Sequence, residues 1–220
     1  MIGPGTIKFY WAPMSTATIT EVVLLELGLE HERIELDIDR GDTRQAGFLA
    51  INPNGRVPVI VHGEAVIWES AAITIYLGET FGVAKGLFPE PGADRAHAMK
   101  WIVWTNTVLG EAAGRLSAAL PETAPGAVQA GSVDHMEHDP ARAEAASRAH
   151  ADLHAHLEIL DGALCEGAYL LGDDYSLVDA HAVVLVAWVQ MMGVELTGQP
   201  NLEAWMVQCL YRPAIAQVLG

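Results

Sequence analysis

Up to residue 82 the apolar positions switch between the two-residue period of a strand and the 3.6-residue period of a helix. Residues 7–11 form a short β-prone run, and Pro13-Met14-Ser15-Thr16 turns from it into a helix carried by Ile19, Val22, Val23 and Leu27 and closed by Gly28. From 33 to 38 the chain alternates, with Ile34, Leu36 and Ile38 on one face and Arg33, Glu35 and Asp37 on the other, which predicts a half-buried strand. A short helical stretch, 43–51, leads to the turn Asn52-Pro53-Asn54-Gly55; residues 57–61 and 65–68 then flank His62-Gly63-Glu64 as a hairpin. Residues 70–81 read as a helix stopped by Gly82. Strands joined by helices run parallel and a hairpin adds an antiparallel edge, so the expected unit is one small mixed sheet covered by helices.

Gly86, Pro89, Pro91 and Gly92 punctuate residues 83–93 and mark a linker there. Beyond it no alternation persists, and 94–120, 141–165, 177–191 and 201–211 read as helices, apolar on one face or nearly all round. The fold class is therefore α/β, with an α/β domain over 1–82, the linker 83–93 and an all-helical domain over 94–220. Residues 121–140, rich in Pro, Gly, Ala and acidic side chains, read as an exposed, mobile connection.

Composition removes several function classes. Hydrophobic residues at 51% against 18% charged exclude a disordered chain. A net charge of −16 repels phosphate backbones and anionic lipid heads, so neither nucleic acid nor a membrane surface is expected as a partner. The apolar stretch 182–189 is far shorter than the roughly 20 residues of a membrane span. The N-terminal residues lack the pattern of a secretory signal, and Cys165 and Cys209 read as reduced, buried thiols, which together predict a cytoplasmic protein.

The fingerprints of dinucleotide, P-loop, hydrolase-elbow and zincin chemistry are missing from the sequence. Residues 37–42 faintly suggest a calcium loop, but the glycine falls one position early and Phe48 stands where the bidentate carboxylate belongs, so a strand end and turn is expected. His135 with His138, and His150 with His154 and His156, invite a metal reading. No thiol or carboxylate is fixed beside them by spacing, and titrating surface imidazoles are expected instead, with no metal.

Three segments carry the informative chemistry. Pro13-Met14-Ser15-Thr16 joins a strand to a helix N-terminus, where backbone N–H groups and the helix dipole favour an anion such as a thiolate. Thioredoxin-type redox enzymes carry Cys-x-x-Cys at such a turn; here both cysteines are replaced, so the sulfur must come with the ligand. Ser15 or Thr16 serves equally well as a plain helix cap. The second segment is Arg56-Val57-Pro58, a proline early in a strand, which is expected at a sheet edge and, with a cis bond, would free the Val57 backbone for an outside partner. The third is Glu69-Ser70, an acid and a hydroxyl where a strand meets a helix. They either cap the helix or hold the ammonium and carboxylate of an amino-acid-like ligand.

In order and spacing, these three segments resemble the glutathione transferase superfamily, in a bacterial-type form with a serine/threonine rather than a tyrosine turn. Ser176-Leu177-Val178-Asp179 looks like that family's buried capping box, a reciprocal helix cap on physical grounds as well. Asn201, Leu202, Ala204 and Trp205 with Arg212-Pro213 look like its C-terminal helices. The resemblance implies a thioredoxin-like N-terminal domain that binds glutathione as co-substrate, a helical C-terminal domain shaping the electrophile site, and a homodimer with a detoxification role. By position, Val57 beside Pro58 would bond the cysteinyl backbone, Glu69 and Ser70 would hold the γ-glutamyl end, and Arg56 would lie near a carboxylate. Ser15 would activate the thiol, with Thr16 the alternative. Trp11, Met14, Trp104 and Val108 are candidates to line the electrophile site, or plain core. Two other readings keep the fold: a glutathione-dependent disulfide oxidoreductase, in which two glutathione molecules supply both thiols, and a non-catalytic glutathione-binding module.

Overall fold

A computed structural model describes residues 6–120 and 140–220. The expected loop 121–140 and the pair His135 and His138 therefore fall almost wholly outside the described residues. Strand β1 (Ile7–Trp11) leads into helix α1 (Ala17–Glu26), β2 (His31–Glu35), the single-turn helix α2 (Ala46–Leu49), the hairpin β3 (Val59–His62) and β4 (Ala65–Trp68), and α3 (Ser70–Leu77). The sheet order is β2-β1-β3-β4, with β1 parallel to β2 and antiparallel to β3, so the hairpin does supply the antiparallel edge. Ile7 and Phe9 are buried on β1, and α1 packs on α3. Phe48 of α2 meets Tyr10 with ring centroids 5.8 Å apart.

The strands differ from the sequence expectation at two places. The second strand covers 31–35 rather than 33–38, because β1 offers partners only from Ile7↔His31 to Trp11↔Glu35. Past that point the carboxylate of Asp37 accepts from Arg40 N at 2.9 Å and that of Asp42 from Asp37 N at 2.9 Å, so side chains take over the backbone groups and Ile38 is left 50% exposed. Pro58 is not on an edge strand. It stands one residue before β3, which lies between β1 and β4, and its missing N–H falls outside a ladder that begins at Val59.

The helical part comprises α4 (Ala93–Trp104), α5 (Gly110–Ala119), α6 (Pro140–Ala163), α7 (Leu177–Met191), α8 (Pro200–Leu210) and α9 (Pro213–Leu219). The single helix expected over 94–120 is interrupted by a π-turn at Thr105–Leu109, and that expected over 70–81 by another at Gly78–Gly82. At Gly78 a Cβ would come within 2.7 Å of the Phe88 ring, so only glycine lets that ring close on the helix. Eleven of the fifteen residues of α7 are buried, and α7 packs against α1, so one continuous apolar core runs from the sheet into the helices. Cys209 is buried as expected, but Cys165 is exposed, because it follows the end of α6 and has no helix face to bury it.

Candidate active site

Strand register gathers the three segments singled out from the sequence. Val59, the first residue of β3, pairs with Trp68, the last residue of β4, so the 57–58 peptide and the Glu69-Ser70 start of α3 lie at the same end of the hairpin. Tyr10 pairs with Val59 on the other side, which brings the end of β1 and the turn after it to that same end. The turn 12–16, the 57–58 peptide and the start of α3 therefore share one end of the sheet, where α1 and α3 both present their N-termini.

Each segment is held by its own chemistry. In the first, the Ser15 hydroxyl donates to Ala12 O at 2.6 Å and accepts from Ala17 N at 3.2 Å, and Ser15 is half-buried. Thr16 is the formal N-cap of α1 but caps nothing with its side chain and is exposed. Met14 has a φ of 51° and is 68% exposed.

In the second, buried Asn52 pins the turn by donating to Arg56 O at 2.7 Å and accepting from Asn54 N at 3.0 Å. Gly55, at φ 61°, lies so close to Thr43 O that a Cβ would stand 2.8 Å from it. The Val57–Pro58 bond is cis, and among the described residues nothing bonds to the Val57 backbone. Arg56 is exposed.

In the third, Glu69 is exposed with φ 72° and ψ 121°, while Ser70 is buried and its Oγ accepts from Asn106 Nδ2 at 2.8 Å. Asn106 stands in the π-turn between α4 and α5, so the helical part reaches the start of α3. Its Oδ1 lies 2.8 Å from His181 Nε2, and His181 Nδ1 lies 2.9 Å from Thr74 Oγ1. Full burial pushes the His181 pKa down to about 3, so the ring is neutral.

Asn106 and His181 were missed in the sequence. The available signal was His181 itself, an imidazole set in the apolar run of α7.

The electrophile-site candidates are placed unequally. Trp11 stands at the end of β1 with the Arg33 guanidinium 4.2 Å from its ring centre, and Met14 is in the turn itself. Val108 is half-buried in the π-turn, and Trp104 packs edge-on against Trp101 and His156 of α6, at 5.5 and 6.0 Å. A cavity of about 450 Å³ lined by Phe88, Asp94, His97, Glu166, Tyr169 and Asp174 includes no candidate site residue. His150 and His154 lie ring to ring at 4.7 Å, yet among the described residues no three histidine, cysteine or acidic side chains are grouped as metal ligands. No described helix is long and apolar enough to cross a membrane.

Two family models match the chain: the glutathione S-transferase N-terminal domain over residues 5–79 and the C-terminal domain over 123–213. The chain belongs to the glutathione transferase family. It is 30% identical over 213 residues to glutathione S-transferase GstB of Escherichia coli, covering 95% of this chain and 96% of that one. It is 27% identical to the disulfide-bond oxidoreductase YfcG of the same organism, covering 97% and 94%. Among solved structures, Ure2p in complex with S-hexylglutathione superposes with a TM-score of 0.83 at 22% identity, covering 98% of both chains. A glutathione transferase from Burkholderia graminis with two glutathione molecules per subunit gives 0.81 at 22% identity, covering 100% and 89%. The thioredoxin-like N-terminal domain and the helical C-terminal domain implied by the motifs are thus the family's own architecture.

Proposed function

We propose that this glutathione transferase ionises bound glutathione at the head of α1 and directs the sulfur to an apolar electrophile. The observation that carries the reading is the convergence of the turn 12–16, the unpartnered Val57 backbone and the Glu69-Ser70 pair at one end of the sheet. The Val57 N–H and C=O pair with the cysteinyl residue in the manner of an added strand. Glu69 binds the ammonium and Ser70 the carboxylate of the γ-glutamyl end, with Arg56 near the glycyl carboxylate. Ser15 turns its hydrogen from Ala12 O to the sulfur, exchanging a neutral hydrogen bond for a charge-assisted one that favours the thiolate. The thiolate attacks the electrophilic carbon, a C–S bond forms, and the leaving group departs with its electron pair. Trp11, Met14, Trp104 and Val108 stand as the candidate apolar surroundings of that carbon. The same proposal includes a homodimer, for which the edge strand β4 leaves Val66 and Trp68 46% and 38% exposed. Sedimentation as a monomer at micromolar concentration would remove it. The unpaired cysteines support a reducing, cytoplasmic setting.

Disulfide reduction is a second reading favoured by two observations: the resemblance to YfcG and the free, exposed hydroxyl of Thr16 in a turn with no cysteine. Parallel assays separate the two. With an apolar halo-aromatic electrophile, transferase action yields a thioether; with a small disulfide, reductase action consumes two glutathione thiols and yields two free thiols and glutathione disulfide. Turnover of the disulfide alone would overturn the transferase reading.

A further inference from the structure

Ser70 is the end of a line of side chains that begins inside the molecule. Thr74 and His181 are fully buried, and Asn106 joins them to Ser70 through contacts of 2.9, 2.8 and 2.8 Å. The line has a direction. An amide nitrogen only donates and an amide oxygen only accepts. With Asn106 Nδ2 on Ser70, its Oδ1 faces His181 and takes the hydrogen of Nε2. A neutral imidazole protonated at Nε2 has a bare Nδ1, which accepts from the Thr74 hydroxyl. Burial keeps a second proton off this ring throughout the neutral range. Every link therefore donates toward Ser70, whose oxygen is already occupied as an acceptor and whose own hydrogen is left for the site.

We propose that His181 and Asn106 are positioning residues that hold Ser70 as a hydrogen-bond donor to a carboxylate, the α-carboxylate at the γ-glutamyl end of glutathione. This rests on the reading of the site as glutathione-binding. The π-turn at Thr105–Leu109 is the element that makes the link, because it carries Asn106 to both α3 and α7. In the reverse chain, Ser70 would donate to the amide oxygen and meet the ligand with a lone pair, which repels a carboxylate.

The test is calorimetric titration with glutathione and with γ-aminobutyryl-cysteinyl-glycine, which lacks only that carboxylate. If the wild-type protein binds no glutathione, the functional reading itself fails. Given binding, Asn106→Leu is expected to weaken glutathione about tenfold, the loss of one charge-assisted hydrogen bond, and to leave the analogue unchanged. Adding Ser70→Ala to it should cost no more than Ser70→Ala alone, since Asn106 acts through that hydroxyl. His181→Gln can still donate to Asn106 and should keep most of the affinity that His181→Leu loses. Should a buried variant fail to fold, Asn106→Asp decides: it keeps the shape and the His181 bond, but it only accepts, drawing the Ser70 hydrogen away and setting a charge beside the ligand's carboxylate. It is expected to lose at least about tenfold on glutathione and little on the analogue. Wild-type affinity for glutathione in the folded Asn106→Leu or Asn106→Asp protein, or equal losses on both ligands, would overturn the proposal.

Discussion

Glu69 and Met14 are the two residues other than glycine with positive φ among the described residues, and both lie in the candidate site. Such a backbone costs a residue with a Cβ on the order of 1–3 kcal/mol, which the surrounding structure must offset. Replacing Glu69 by glycine should therefore raise the unfolding free energy by about 1 kcal/mol while weakening glutathione binding by about 1.5–3 kcal/mol. Glu69→Ala should lose the same affinity without the gain in stability. Denaturant melts and calorimetry read the two effects separately; a Glu69→Gly variant that binds like the wild type would show that the carboxylate only decorates the helix start. At this scale the sequence disclosed residue types and order but not hydrogen-bond direction. Ser15 and Thr16 look interchangeable along the chain, yet one is tied to Ala12 and Ala17 and the other is free. Asn106 was not legible because its partners, Ser70 and His181, are far away in sequence.

Among the elements, those with local signals were legible to within a few residues. The start of α7 is the clearest case. Ser176 accepts from Val178 N at 3.2 Å, and Asp179 accepts from Ser176 N at 3.0 Å, completing the reciprocal cap. The same carboxylate accepts from Ser176 Oγ, Leu170 N and Trp205 Nε1, each at 2.9 Å, so a side chain inside the core fixes α7, the preceding loop and α8 together. Burial pushes the Asp179 carboxyl upward in pKa, and these donors oppose that push. Ser176→Ala removes two of the cap's bonds and is expected to cost about 0.5–2 kcal/mol in urea melts. Glutathione affinity should stay unchanged; lost binding at wild-type stability would place Ser176 in the site instead. What sequence periodicity did not give is what depends on partners. The end of β2 is set by the length of β1, and the π-turns coincide with Phe88 packed on Gly78 and Gly82 and with the contacts of Asn106, none of which leaves a mark on the apolar period.

Across the whole molecule, the sheet domain and the helices are tied at a second point away from the site. Glu26 at the end of α1 is almost fully buried and receives both Arg212 nitrogens, Nε at 2.8 Å and Nη2 at 2.6 Å, with the Tyr175 hydroxyl at 3.1 Å. The Arg212 guanidinium also lies 3.5 Å from the centre of the Tyr175 ring. Arg212→Ala would strand the Glu26 carboxylate in the interior and should cost about 3 kcal/mol, the low end for a broken buried pair because Arg212 keeps some solvent contact. Thermal denaturation would show it, and an unchanged midpoint would mean that water replaces the guanidinium. Since α1 carries both this tie and the candidate thiolate site, its N-terminus is held in place from the opposite end. In the proposed reaction, this N-terminus and the Ser15 hydroxyl ionise the glutathione thiol. Ultraviolet titration of the thiolate on the wild-type protein, Ser15→Ala and Thr16→Ala measures this ionisation. The bound thiol is expected to titrate well below the free value of about 8.5, to rise in Ser15→Ala and to move little in Thr16→Ala; a wild-type complex whose thiol titrates like free glutathione would mean that α1 and Ser15 do not ionise it.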